Sequence, residues 1–224
     1  MKKNFVYFFL VVILVMAVTA FGSEEISESP FLVTQGESID SFIPDGWKLI
    51  RETSGDLNKD GLEDITGVIE LDKAYEKNIE DAPPRILFIA FKEKDAYHLS
   101  IQTDKAILRS DMGGVWGDPF DNISVDRGSI LITFYGGSNY RWGQVFRFRF
   151  QNNRWYLIGA TIYSSLIETG EESNEDYNLL TGKMIKTTID ESGKKQEETI
   201  NRGKKELVNL LDFDVISEDA TKEF

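Results

Sequence analysis

The residues whose types and spacing most clearly indicate chemistry lie in the stretch 56–64. Oxygen-bearing groups recur there at alternate positions: the side chains of Asp56, Asn58, Asp60 and Asp64 and the main-chain carbonyl of Leu62. A hard cation such as Ca²⁺ binds six to eight oxygens, and a loop that curls around one point presents every second side chain to that point. Gly61 permits the positive φ angle that such a curl requires. The spacing therefore predicts a calcium site formed by these five residues.

The residues after the loop distinguish between classes of calcium loop. An EF-hand requires a Glu at loop position 12 and a helix after it, but position 12 counted from Asp56 is Gly67. Residues 65–71 are β-branched and apolar, which is typical of a strand. The alternative to a calcium loop is a turn of Asp, Asn and Gly residues that holds no ion.

The loop and the residues before it resemble a known family. The run FIPDGW occupies positions 42–47, and the run GDLNKDG occupies positions 55–61. In this order they resemble the FG-GAP calcium loops of integrin-type β-propellers, and in particular secreted bacterial proteins with one FG-GAP-like unit near the N-terminus. The resemblance covers about residues 42–71. It implies secretion and a β-rich fold, and it implies no reaction.

The elements that must position the loop are predicted strands at 47–51 before it and 65–71 after it. Similar signals predict further strands at 85–91, 97–101, 123–125, 129–135, 144–150, 155–163, 184–189 and 197–200. We expect one helical turn at 37–42, an acidic loop at 164–174, and a last strand or short helix at 207–213. The Asp-x-Asn-x-Asp-Gly signature occurs once, so a complete propeller is not expected. The predicted fold is mainly β, or α+β with minor helix, as one compact antiparallel domain with a hairpin meander.

The N-terminus has the three parts of a secretory signal peptide. A basic start, Met1-Lys2-Lys3, precedes an apolar run at 5–18 and the small residues that follow it. We therefore divide the chain into a signal peptide at 1–22, a lead-in at 23–45 with a possible short helix, a β-rich domain at 46–213 and a polar tail at 214–224. The alternative is an uncleaved N-terminal anchor. The chain has no Cys, which excludes disulfides and a lipid anchor on cysteine.

The charge of the chain argues against nucleic acid and anionic lipid as partners. The chain has 25 basic and 38 acidic residues, so loss of Lys2 and Lys3 leaves 23 − 38 = −15. Neither a phosphate backbone nor an anionic surface attracts such a protein. We predict a secreted, periplasmic or cell-surface protein, with no stable membrane span after cleavage of the signal. Its partner is then an unknown extracellular protein or glycan.

Two further stretches carry candidate binding side chains. The glycine-rich run 112–120 contains Trp116 and Phe120. These aromatic side chains could contact a ligand, but the preferred interpretation is that they pack into the end of the β core. At 146–150, Phe alternates with Arg, so the phenylalanines are expected to be buried and Arg147 and Arg149 to be much more exposed. These arginines could bind a carboxylate or phosphate, although pairing with acids of neighbouring strands is the preferred interpretation.

The inventory of residues favours a non-catalytic protein. The chain has no Cys nucleophile and no Gly-x-Ser-x-Gly elbow, and its single histidine, His98, has no partner motif. The leading hypothesis is a secreted, calcium-stabilised, non-catalytic binding or structural module. The alternatives are an extracellular glycan hydrolase that uses two carboxylates and a glycan-binding module that uses the aromatic loops around Trp116 and Trp142.

Overall fold

The computed structural model describes residues 29–73 and 82–217 and contains two antiparallel sheets. The smaller sheet consists of β1 to β5, at Gln35–Gly36, Trp47–Gly55, Asp64–Leu71, Arg85–Glu93 and Ala96–Thr103. The larger consists of β6 to β12, at Phe120–Asp126, Ser129–Gly137, Tyr140–Gln151, Arg154–Leu166, Glu171–Asn178, Lys183–Ile189 and Lys195–Asn201. The strand orders are β1-β5-β4-β3-β2 and β12-β11-β10-β9-β8-β7-β6.

This architecture confirms the predicted mainly β, antiparallel domain that is not a propeller. The described ranges also contain two short 3₁₀ turns, Ile39–Phe42 and Gly114–Trp116, and neither is long or apolar enough to cross a bilayer. The first of them coincides with the predicted helical turn at 37–42. The predicted signal peptide at 1–22 lies outside the described residues, as does the end of the predicted tail from residue 218.

The larger sheet is a meander, because each of its strands pairs with the next strand along the chain. Tight turns join the strands. Asn152 and Asn153, between β8 and β9, have φ angles of 52° and 58°. Arg127 and Gly128, between β6 and β7, have φ angles of 50° and 67°. Two consecutive positive φ angles match the right-handed twist of the flanking strands, which explains why turns of this kind connect hairpins.

Strand β4 is the middle strand of the smaller sheet, and most of its residues are buried, on both faces of the sheet. Leu87 and Ile89 face the larger sheet and belong to the core between the two sheets. Phe88 faces the opposite side, where Leu32 and Phe42 cover it, and the Phe42 and Phe88 rings lie 5.5 Å apart. The segment predicted as a lead-in thus contributes a second layer of core to the smaller sheet.

The predicted alternation of Phe and Arg along β8 is present in the structure. Phe146 and Phe148 are buried in the core between the sheets. Phe150 is only half-buried and packs on Phe91 with ring centroids 4.8 Å apart. Arg147 is half-buried on the opposite face of the sheet, with a quarter of its side chain exposed. The inward direction of the aromatic face is therefore confirmed.

One predicted loop is a strand. We expected an acidic loop at 164–174, but β9 continues to Leu166 and β10 occupies Glu171–Asn178. The sequence of β10 is polar apart from Tyr177, so it lacks the apolar alternation that indicates a strand. It forms because β9 and β11 supply hydrogen-bonding partners on both sides, while its polar side chains remain largely at the surface.

The last predicted element, at 207–213, is neither a strand nor a helix. It runs along the first residues of β9, where the N–H of Leu157 donates to the carbonyl of Val208 and the N–H of Leu210 donates to the carbonyl of Trp155, each at 2.9 Å. This edge is free because β10 pairs with β9 only from Gly159 onwards. Tertiary contact, not local propensity, therefore determines its conformation.

Candidate functional site

The predicted calcium loop connects β2 to β3 and is held by hydrogen bonds within itself. Asp56 Oδ1 accepts from the N–H of Lys59 at 2.7 Å, and Asp56 Oδ2 accepts from the N–H of Gly61 at 3.1 Å. Lys59 and Gly61 have φ angles of 69° and 85°. A glycine adopts this conformation without strain. The Asp56 side chain therefore closes the curl that the sequence predicts.

The next two oxygen-bearing side chains continue this pattern. Asn58 Oδ1 accepts from the N–H of Asp60 at 3.0 Å, and Asp60 Oδ1 accepts from the N–H of Leu62 at 2.8 Å. The Asn58 amide also donates to Asp60 Oδ2 at 2.9 Å. Each of these oxygens has a second lone pair, so the hydrogen bonds leave it able to contact a cation.

Asp64 differs from the other predicted ligands because it is fully buried. Its Oδ2 accepts from the N–H groups of Leu57 at 2.8 Å and Asn58 at 3.3 Å, and its Oδ1 accepts from the N–H of Lys92 at 2.9 Å. Burial raises the pKa of Asp64, and the charge of Asp60 acts in the same direction, although the three N–H donors oppose them. This carboxylate joins the start of the loop to β4.

The structure therefore gives a partial fit to calcium. Asp56, Asn58 and Asp60 lie on one turn with lone pairs to spare, and Leu62 is exposed beside them. Asp64 is directed into the interior. Within residues 29–73 and 82–217, no three His, Cys, Asp or Glu side chains are grouped so that they could hold a metal ion. A calcium ion here would depend on the Asn58 amide, main-chain oxygens and water in addition to carboxylates.

A buried arginine forms a second polar cluster that the sequence did not reveal. Arg85, at the start of β4, is almost inaccessible to solvent. It donates from Nε to Glu70 Oε2 at 2.8 Å, to the carbonyl of Leu108 at 2.9 Å, and from Nη1 to Asp118 Oδ1 at 2.8 Å. Lys48 reaches the other oxygen of Glu70 at 3.1 Å. The cluster joins the smaller sheet to the glycine-rich loop that contains Asp118.

The cluster holds Asp118 in its ionised form. Burial by itself would raise the pKa of Asp118, but hydrogen bonds from Arg85 and from the N–H of Phe120 outweigh it, so the pKa is lowered. The folded state then binds this proton less tightly than the unfolded chain does. The resulting stability is present above the ordinary Asp pKa near 4 and is lost as the pH falls through the lowered pKa.

We therefore expect the free energy of unfolding of Asp118→Asn to fall less steeply at acid pH than that of the wild type. The variant should be less stable than the wild type at pH 7, and the difference should shrink as the pH falls from 5 to 3. Urea unfolding at each pH measures this, with Asp95→Asn in the exposed β4–β5 turn as the matched control. Parallel profiles for the wild type and Asp118→Asn would show that Arg85 does not stabilise the ionised carboxylate.

The outer face of the larger sheet, which points away from the smaller sheet, carries two adjoining depressions. One, of about 510 Å³, is lined by residues that include Trp116, Tyr135 and Tyr163. The other, of about 560 Å³, is lined by residues that include Arg147 and Arg149. Both contain Val145 and Thr161, which are paired on β8 and β9. The two depressions thus form one groove, which we call the outer-face groove.

The structure separates the two predicted loop tryptophans. Trp116 is 55% exposed at the rim of the groove, its ring lies edge-on to Tyr135, and the Arg141 guanidinium lies 4.3 Å from its ring centre. Trp142 instead packs against the core, and the close approach of its ring explains Gly136, where a Cβ would lie 2.6 Å from the ring. The prediction that Trp116 packs at the end of the core is wrong. The Trp142 ring is directed towards the core and not towards the surface around Trp116. Phe120 is the aromatic residue of this loop that is buried.

Arg147 and Arg149, both on β8, have different partners. Arg147 donates to Asp126 Oδ2 at 2.8 Å. Arg147 therefore pairs with an acid of the same sheet, as predicted, but Asp126 ends β6, which is the next strand but one and not a direct neighbour of β8. Arg149 donates to Gln151 on its own strand at 3.0 Å. Arg127 also contacts Asp126, at 3.2 Å. The hydrogen bonds from Arg147 and Arg127 lower the pKa of Asp126.

Sequence reasoning missed most of the residues that build the outer-face groove. Tyr135 and Tyr163 lie opposite Gly143 on neighbouring strands, but only the strand register brings them together. The nearest signal in the sequence was the strand alternation that places Tyr135, Arg147 and Arg149 on the face away from the core. Comparisons with protein-family models, curated proteins and solved structures gave no match to this chain.

Proposed function

We propose that this chain is an exported, non-catalytic binding module that calcium stabilises at the loop 56–64. The observation that carries the binding role is the outer-face groove, an open surface of half-buried aromatic and charged side chains that no element of the described chain covers. Ligand-binding sites combine apolar and aromatic side chains with a few oriented polar groups in this way. Export is supported by the basic start and apolar run at the N-terminus.

The calcium part of the proposal rests on the alternate oxygens of Asp56, Asn58 and Asp60 and on the carbonyl of Leu62. We expect Asp64 to position the loop through its three N–H bonds rather than to contact the ion directly. The carboxylates of Asp56 and Asp60 repel each other without an ion, and a divalent cation relieves this repulsion. Binding would then stabilise the connection between β2 and β3.

Calcium should raise the melting temperature by about 3–6 °C. Extracellular calcium modules bind at ~10⁻⁴ to 10⁻³ M, so a Kd near 10⁻⁴ M and ~1 mM free calcium give about 1.4 kcal/mol. For a domain of this size, that free energy corresponds to the stated shift. The measurement is a melting curve with calcium and with chelator. Asp60→Ala should abolish the shift, whereas Asp95→Ala, at an exposed turn elsewhere, should retain it.

Asp64→Asn then tests the assignment of Asp64 as a positioning residue. It removes the charge but keeps most of the shape, so the calcium shift should persist at a lower overall stability. Loss of the shift in Asp64→Asn would instead identify Asp64 as a ligand, as the sequence alone predicted. If wild-type melting is identical with calcium and with chelator, and calorimetry detects no calcium binding at several millimolar, the calcium proposal fails.

The alternative of a two-carboxylate glycan hydrolase has less support at the groove. The acids that line the aromatic depression are Asp118 and Asp121. Asp118 is poorly suited to act as a general acid at neutral pH, since the hydrogen bonds from Arg85 and from the N–H of Phe120 lower its pKa. Incubation of the protein with soluble glycans, followed by measurement of new reducing ends, distinguishes the two functions. Release of reducing ends by the wild type, but not by Asp121→Asn, would refute the non-catalytic proposal.

A further inference from the structure

The outer-face groove concentrates arginine in an otherwise acidic chain. The sequence contains nine arginines and has a net charge of −13. Four of the nine line the two depressions and a fifth, Arg141, lies on Trp116 at the rim. The arginines of the groove are Arg51, Arg127, Arg141, Arg147 and Arg149. No lysine of the described ranges lines either depression.

The local charge of the groove is positive. The acids that line the two depressions or contact their arginines are Asp121, Asp126 and Asp176, while Asp118 is balanced by Arg85. Five arginines and three acids give 5 − 3 = +2, against −13 for the whole chain. Arginine, more than lysine, binds planar anions such as carboxylates through two parallel hydrogen bonds. The groove is therefore complementary to a ligand that carries carboxylates.

The shape and the aromatic end of the groove specify the ligand further. Gly143, Val145, Arg147 and Arg149 follow one another along the outer face of β8, a span of about 20 Å at ~3.3 Å per residue. The charged depression lies at one end and the aromatic depression at the other. Tyr and Trp rings offer apolar faces with polar edges, which suit the alternating C–H and hydroxyl surfaces of sugar rings.

We propose that the outer-face groove binds a linear acidic polysaccharide, with the carboxylates on Arg147 and Arg149 and a sugar ring on the cluster of Trp116 and Tyr135. This inference rests on the proposed binding function and names the class of its ligand. An acidic peptide also carries carboxylates, but it has no rigid ring for the aromatic end. A neutral glycan would fit the aromatic end but would offer no carboxylate to the arginines.

The test is calorimetric titration of the purified full chain with an oligogalacturonate, which is a uronic acid chain, at low and high salt. Oligomers too short to gel with calcium are used. Binding is expected at 50 mM salt and should weaken at least tenfold at 500 mM, because exposed charge pairs are screened. Arg149→Gln and Trp116→Ala should each weaken binding about tenfold, since loss of one charge-assisted hydrogen bond or one stacking contact costs roughly 1.4 kcal/mol.

Arg154→Gln is the matched control, because Arg154 is an exposed arginine at the start of β9 that lines neither depression. It should bind as the wild type does, and all three variants should melt within a few degrees of it. The proposed ligand class would be wrong if neutral glucan oligomers bind as tightly as the uronic acid chain, or if a poly-glutamate peptide binds more tightly. Either result would leave the proposal of a binding module intact. No binding of the uronic acid chain, or equal loss in Arg154→Gln and Arg149→Gln, would also overturn it. Release of reducing ends would instead refute the non-catalytic function.

Discussion

Replacement of Arg85 by Ala should cost this protein about 3–5 kcal/mol of unfolding free energy, the usual result of breaking a buried ion pair by removing one partner. The loss is large because Glu70 is also buried, and without Arg85 its only remaining charged partner among the described residues is Lys48. The carbonyl of Leu108 loses its arginine donor as well. Urea unfolding at pH 7 measures the change directly.

Two variants make this prediction specific. Arg109→Ala removes an exposed arginine one residue from Leu108 and should change stability by less than about 0.5 kcal/mol. Arg85→Met with Glu70→Met replaces the buried pair by apolar groups and should be more stable than Arg85→Ala, because no buried charge is left without a partner. If Arg85→Ala is no less stable than Arg109→Ala, the cluster does not stabilise the fold.

The Arg85 cluster also affects the aromatic end of the outer-face groove. Asp118 lies two residues after Trp116, so its bond to Arg85 attaches the glycine-rich loop to the smaller sheet. In Arg85→Met, this loop loses its ion pair with the smaller sheet. We then expect weaker ligand binding at the aromatic end of the groove, even where the protein remains folded.

Asp64→Ala should destabilise the protein by about 4 kcal/mol, the second large effect. The substitution leaves the N–H groups of Leu57, Asn58 and Lys92 without their acceptor. An unsatisfied buried donor costs roughly 1–3 kcal/mol. Loss of an unfavourable buried charge offsets part of this cost, because burial raises the pKa of Asp64.

The raised pKa of Asp64 gives this effect a pH dependence of known sign. The folded state binds the Asp64 proton more tightly than the unfolded chain, so lowering the pH through the raised pKa stabilises the wild type through this group. Asp64→Asn should fall between the wild type and Asp64→Ala, since one amide oxygen can still accept from Leu57 and Asn58. Glu63→Ala, at the exposed neighbour, should cost less than about 1 kcal/mol. Equal stability of Asp64→Ala and Glu63→Ala would refute the anchoring role.

The sequence by itself determined the features that depend on local spacing. Oxygens at alternate positions, followed by a glycine, produced the curl at 56–61 because those side chains bond to main-chain N–H groups two to five residues away. The alternation along β8 determined which face is buried, since the strand period is two residues. The single calcium signature agreed with a fold that is not a propeller. All of these depend on neighbours in the chain.

The tertiary structure alone decided the features that depend on strand register and loop closure. β10 has no apolar pattern, and it is a strand because β9 and β11 provide hydrogen-bonding partners. Arg85 and Asp118 are 33 residues apart in the sequence, and Asp64 and Lys92 are 28 residues apart. Nothing in their local sequence indicates these contacts. The outer-face groove likewise exists because a seven-stranded meander lays Tyr135, Gly143 and Tyr163 side by side.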